Sequence, residues 1–122
     1  MSRYAKLTER EQDILKRTRA MIYAQTGQPD GGGFCGIGAM IVHHVLGNKG
    51  YQIMGSDGHW WVERRKDKAI LDPTAAQFTR KGRWFEYRNG EVTTSREVKD
   101  NYLAEYEEWG KAFAQLLKAH YA

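Results

Sequence analysis

From Cys35 to Leu46 the chain reads Cys-Gly-Ile-Gly-Ala-Met-Ile-Val-His-His-Val-Leu, and Gly47 follows as a helix stop. Ile37, Met40, Ile41, Val45 and Leu46 cover much of a helix's circumference, and Ala39 and Val42 cover more. A helix that is apolar nearly all round has to be buried. The rest of the chain must therefore supply its cover. At 122 residues it is long enough to do so as one domain, without disulfides or a structural metal.

The flanking segments give the expected cover. Thr8 and Glu11 match a capping box, and Ile14, Thr18, Met21 and Ile22 then share one face, so a first helix spans about Thr8 to Gln25. Gly27 to Gly33, with Pro29 and three consecutive glycines, is a loop. Four strands are expected at Tyr51–Met54, His59–Arg64, Ala69–Asp72 and Trp84–Arg88. The turn Arg65-Lys66-Asp67-Lys68 joins the second and third as an antiparallel hairpin. Asn89-Gly90 predicts a type I′ turn from Trp84–Arg88 into Glu91–Thr94. Leu103, Tyr106, Trp109, Phe113, Leu116 and Leu117 recur at helical spacing, giving a last helix from about Val98 to His120. No internal repeat, low-complexity tract or linker interrupts this order. The expectation is a single α+β domain over residues 1–122, a buried helix packed on a small antiparallel sheet between N- and C-terminal helices.

Composition narrows the class of function. Hydrophobic residues at 41% and charged residues at 28% describe a globular chain rather than a disordered one. No apolar run approaches the roughly 20 residues of a membrane span, so no membrane association is expected. Met1 to Lys6 lacks the apolar centre of a signal peptide. A single cysteine excludes a disulfide scaffold, which makes a reducing, cytoplasmic site of action the expectation. The net charge of +4 raises the question of nucleic acid. The basic residues are dispersed, with Arg64, Arg65, Lys66 and Lys68 in one turn and Arg80, Lys81 and Arg83 in another. Such short clusters read as solvated surface rather than as a nucleic-acid footprint.

That single cysteine opens the buried helix. At a helix N-terminus the first N–H groups have no intrahelical partner, and their partial positive charge favours thiolate over thiol. His59 and Asp72 follow on two strands expected to pair. A turn centred on Lys66-Asp67 sets Asp72 opposite Trp61 and makes His59 its diagonal neighbour on the same face. Cysteine, histidine, aspartate is the order of a nucleophile, its base and the group that orients the base. His43 and His44 do not convert Cys35 into a metal site, because eight residues of helix separate Cys35 from His43. The chemistry requires neither metal nor cofactor.

Gly33-Phe34-Cys35-Gly36 opening a helix, Gly58-His59-Trp60-Trp61-Val62-Glu63 on a strand and Ile70-Leu71-Asp72-Pro73-Thr74 on the next together resemble the papain-like superfamily. The resemblance runs from Gly33 to Phe78 and is closest to the compact branch of transglutaminase-like proteins, cell-wall endopeptidases and glutamine deamidases. It implies a papain-like core, with Cys35 as nucleophile, His59 as general base and Asp72 orienting the imidazole. It also implies an oxyanion-hole glutamine ahead of the cysteine, for which Gln28, seven residues upstream, is preferred to Gln25. The chain is short for a protease of this kind, which favours a narrow protein or peptide substrate. Two functions remain in contention: a thiol hydrolase or acyl-transfer enzyme acting on an amide or isopeptide bond, and a non-catalytic binding, inhibitor or effector protein that keeps the fold.

Overall fold

The computed structural model describes residues 5–79, 82 and 85–122. Thr8 starts α1 (Glu9–Thr26) through the expected capping box, its hydroxyl accepting from Glu11 N–H while the Glu11 carboxylate accepts from Thr8 N–H. Glu11, Ile14, Thr18 and Ile22 form its buried face, and Gly27 ends it in the left-handed conformation at φ +77°. After the glycine loop comes α2 (Cys35–Leu46), whose residues from Cys35 to Val42 are all buried.

The cover for α2 is a four-stranded antiparallel sheet on one side and helices on the others. The sheet contains β1 (Tyr51–Ser56), β2 (His59–Arg64), β3 (Ile70–Leu71) and β4 (Glu91–Thr93), in the order β3-β2-β1-β4. β2 and β3 pair through Val62 with Leu71 and Glu63 with Ile70, the register expected from the Lys66-Asp67 turn. β1 and β2 pair from Tyr51 with Arg64 to Ser56 with His59, closing on the two-residue turn Asp57-Gly58. Both turn residues have positive φ, 50° and 76°, as a type I′ hairpin requires. Val62 and Leu71 join Ile37, Met40, Ile41 and Ile53 in the main core.

The hairpin expected at Asn89-Gly90 does not form. Trp84 lies outside the described residues. Tyr87–Asn89 make a 3-10 turn, and Gly90 is extended with φ −70°. β4 pairs with β1 instead, Met54 opposite Val92. Two tertiary contacts outweigh the local turn preference: Tyr87 hydrogen-bonds Asp72, and Gly90 packs so closely on the Trp61 ring that a side chain there would collide with it. A short α3 (Ala76–Thr79) follows β3.

The C-terminal helical segment starts earlier than its apolar spacing indicates, because Thr94 caps α4 (Ser95–Glu105) by accepting from Glu97 N–H. One wide π-type turn, Tyr106–Gly110, separates α4 from α5 (Lys111–His120), with Lys111 N–H bonded to Tyr106 C=O. The extra residue in that turn shifts the phase of the apolar stripe. Tyr106 and Leu117 are buried, whereas Leu103 and Leu116 are exposed.

At the first basic turn Arg65, Lys66 and Lys68 are exposed as expected, and Arg64 is the exception. Arg64 is buried, donating to Glu11 at 2.5 Å, to both Asp67 carboxylate oxygens at 2.8 and 2.9 Å, and to the Lys6 carbonyl. Arg64 ties α1 to the β2–β3 turn from a buried position, while Arg65 stays exposed and reaches back to Asn48 and Gln52. The second basic turn falls at Arg80, Lys81 and Arg83, outside the described residues.

Candidate active site

Cys35 is the first residue of α2. Gly31 and Gly33 take positive φ of 75° and 84° to bring the chain into the helix, and Gly31 passes so close to Thr74 that a Cβ would lie 2.6 Å from the threonine methyl. α1 and α4 each have a hydroxyl cap; α2 has no side-chain cap, so its first-turn N–H groups remain available to an acceptor at the thiol. Cys35 is 5% exposed, and its Sγ lies 3.7 Å from the Gly58 carbonyl.

His59 begins β2, directly after the Asp57-Gly58 turn, and is 3% exposed. Alternation along β2 puts His59 on the same face as Trp61, and the two rings stack at 5.7 Å. The edge of Phe78 at 4.8 Å and the ring of Phe85 at 4.8 Å complete an aromatic enclosure of the imidazole. His59 Nε2 lies 2.6 Å from Asp72 Oδ2. That leaves Nδ1 for the thiol, which is near enough for the charges of the two groups to interact.

Asp72 sits just past β3 and accepts two hydrogen bonds on each oxygen. Oδ2 receives His59 and the Tyr87 hydroxyl at 2.7 Å; Oδ1 receives the Thr74 N–H at 3.0 Å and the Thr74 hydroxyl at 3.1 Å. The carboxylate is thus fixed by the Pro73-Thr74 turn on one side and presented to the imidazole on the other.

The charges follow from these contacts. Burial alone pushes the Cys35 thiol up and the His59 imidazole down. For Cys35 the hydrogen bond and charge of His59, the Trp60 N–H and the Tyr102 hydroxyl outweigh burial, and the thiol ends below its ordinary value. For His59 the Asp72 hydrogen bond, then the thiol, outweigh burial and raise the ring to about 9. Both shifts favour the thiolate–imidazolium form of the pair over the neutral one.

The structure brings Cys35, His59 and Asp72 together. Gln28 lies exposed in the loop after α1, its N–H donating to the Thr26 hydroxyl, and its side chain makes no hydrogen bond to the site among the described residues. The glycines at 31 and 36 make room for Thr74 and Tyr102 of the protein itself, not for substrate backbone. Among the described residues no three His, Cys, Asp or Glu side chains are placed to hold a metal ion. His44 instead pairs with the Tyr106 hydroxyl at 3.3 Å. Beside the imidazole opens a groove of about 200 Å³ bordered by Gly58, His59, Trp60, Glu91, Thr93 and Glu97.

Sequence reasoning missed Tyr87 and Tyr102. Tyr87 falls in a segment expected to be a strand and had no periodic signal. Tyr102 did, since it lies four residues before Tyr106 and extends the aromatic stripe of the last helix. Comparison with protein-family models, curated proteins and solved structures found no match.

Proposed function

We propose that the protein is a cysteine-dependent hydrolase or acyl-transfer enzyme acting on an amide or isopeptide bond of a protein or peptide, of the papain-like kind. One observation carries this reading: a thiol heading an uncapped, buried helix sits against the strand start that presents an imidazole, close enough for the two charges to interact, and that imidazole is held at 2.6 Å by a buried carboxylate. In this reading the Cys35 thiolate attacks the carbonyl carbon and the carbonyl electron pair moves to oxygen, facing the first-turn N–H groups of α2. His59 Nδ1 gives its proton to the leaving amine as the C–N bond breaks, and a thioester remains on Cys35. Water or a second amine, deprotonated by the same nitrogen, resolves the thioester. Peptidase, deamidase and transglutaminase chemistry share these steps and differ in leaving group and acceptor.

Among the described residues no helix is long and apolar enough to cross a membrane. A reducing compartment such as the cytoplasm keeps the thiol in the form the chemistry needs. The diversion of Arg64 into buried ion pairs with Glu11 and Asp67 takes one cation out of that turn and argues against a nucleic-acid surface there.

The near-complete burial of Cys35 and His59 favours a second reading, a binding protein that retains the fold without turnover. Iodoacetamide alkylation across pH decides between them. The enzyme reading expects half-maximal reactivity well below the roughly 8.5 of a free thiol, and no amide turnover in Cys35→Ser. A thiol that titrates like free cysteine would overturn it in favour of the binding protein.

A further inference from the structure

Tyr102 reaches the mouth of α2 from α4. Its ring lies over Gly36 so closely that a methyl group there would run into it, and Val98 crowds the same spot. Trp60 holds the ring edge-to-face at 5.7 Å. The phenol and the Cys35 thiol act on each other's charge, and the ring contact sets the phenol beside Gly36, the residue next to the thiol. Gly36 thus has a use that its helix position does not demand: it lets a phenol from the far end of the chain approach the mouth of α2.

In the attack described above, the new oxyanion forms two bonds from sulfur, at the mouth of α2 that the Tyr102 ring overlies. As the C–S bond forms, negative charge leaves sulfur and appears on oxygen. A donor beside the sulfur in the resting enzyme can then serve the oxygen, which is the condition for selective stabilisation of the transition state. We propose that Tyr102 is a catalytic residue whose hydroxyl turns to the carbonyl oxyanion as it forms, filling the donor role that the resemblance assigned to Gln28. The proton stays on the phenol throughout. Burial and the neighbouring thiolate raise Tyr102 to about 12, so it remains a donor across the working range. The proposal rests on the acyl-transfer reading.

Tyr102→Phe removes only the oxygen and keeps the ring over Gly36 and against Trp60. Two reactions of Cys35 separate nucleophile from oxyanion: alkylation by iodoacetamide displaces iodide without forming an oxyanion, whereas acylation by p-nitrophenyl acetate forms one. With rates compared at equal thiolate fraction, Tyr102→Phe is expected to slow acylation about 10²-fold and to change alkylation less than five-fold. Tyr102→Met, which also lacks a donor but fills the space flexibly, carries the same expectation should the phenylalanine variant fail to fold. An acylation-to-alkylation ratio equal to wild type in the folded variant overturns the role of Tyr102 while the enzyme reading stands. A wild-type thiol that titrates like free cysteine and is not acylated faster than one overturns both.

Discussion

Asp72→Asn changes one atom and tests the electrostatic logic of the whole site. Each oxygen of Asp72 accepts two hydrogen bonds, and the Thr74 N–H, a fixed backbone donor, must keep its acceptor. The amide oxygen of an asparagine therefore turns to Thr74, and its NH₂ lands opposite His59 Nε2. An imidazolium there would set donor against donor. The ring responds by losing the Nε2 proton and keeping one on Nδ1, the nitrogen that faces the thiol, so the base is occupied. The rise of His59 from 6.5 to about 9 corresponds to about 3 kcal/mol, the partners' contribution net of the burial that opposes it. A charge-assisted hydrogen bond of this kind contributes about 2 kcal/mol of that. Because the folded value is raised, the stabilisation is complete below pH 6.5 and fades as pH rises through about 9. Thermal melts should therefore show Asp72→Asn about 8 °C below wild type at pH 6, with the gap narrowed at pH 9.5. Amide turnover should fall about 10³-fold or more, and the Cys35 alkylation profile should move toward higher pH. An equal melting deficit at both pH values, together with an unmoved alkylation profile, would refute this reasoning.

Two further substitutions probe the frame around the site. Gly36→Ala drives a methyl into the Tyr102 ring and within 3.0 Å of Val98, so α4 must shift; the expected loss is about 2 kcal/mol in denaturant titration, against near-neutrality if the contact is loose. Glu11→Gln removes the charge that Arg64 meets at 2.5 Å in a buried site and should cost about 3 kcal/mol near neutrality. Burial raises the Glu11 carboxyl, but the Tyr51 hydroxyl, the Thr8 N–H and Arg64 together take it below its ordinary 4.5. Its stabilisation is therefore present above that value and lost as pH falls, and melts between pH 2 and 6 should show a shallower acid limb in the glutamine variant than in wild type.

How much of this was legible beforehand depends on whether the cause was local. The Thr8–Glu11 box, the buried run from Cys35 and the Lys66-Asp67 turn are short-range features, and the register they imply is the one observed, Val62 opposite Leu71. Asp72 shows how two readings coincide. A turn aspartate accepting from Thr74 and a carboxylate facing His59 seem to compete, yet one oxygen serves each. The misplaced hairpin shows the opposite case. Asp57-Gly58 and Asn89-Gly90 are equivalent turn signals, and only the first forms a type I′ turn, because the second is drawn onto Trp61 and its neighbour Tyr87 onto Asp72. No window around residue 89 contains that information. For Tyr102 the aromatic stripe marked a helix face but not the contact, because Gly36, over which its ring packs, lies 66 residues away.

The Asp57-Gly58 turn has one more consequence. His59 reaches the thiol because it is the first residue of β2, on the face it shares with Trp61, while Gly58 just before it offers its carbonyl to the sulfur. In a strand, position along the chain and side of the sheet are one quantity counted modulo two. Lengthening this turn by one residue, with the β2–β3 pairing slipping to follow, exchanges the two faces, sending the imidazole toward the helices and Val62 toward the aromatic enclosure. A two-residue lengthening preserves the faces and only displaces the ring along the strand. Chain-length variation at this hairpin is therefore tolerated in even steps or not at all. The placing of His59 beside Cys35 is protected by arithmetic as much as by packing.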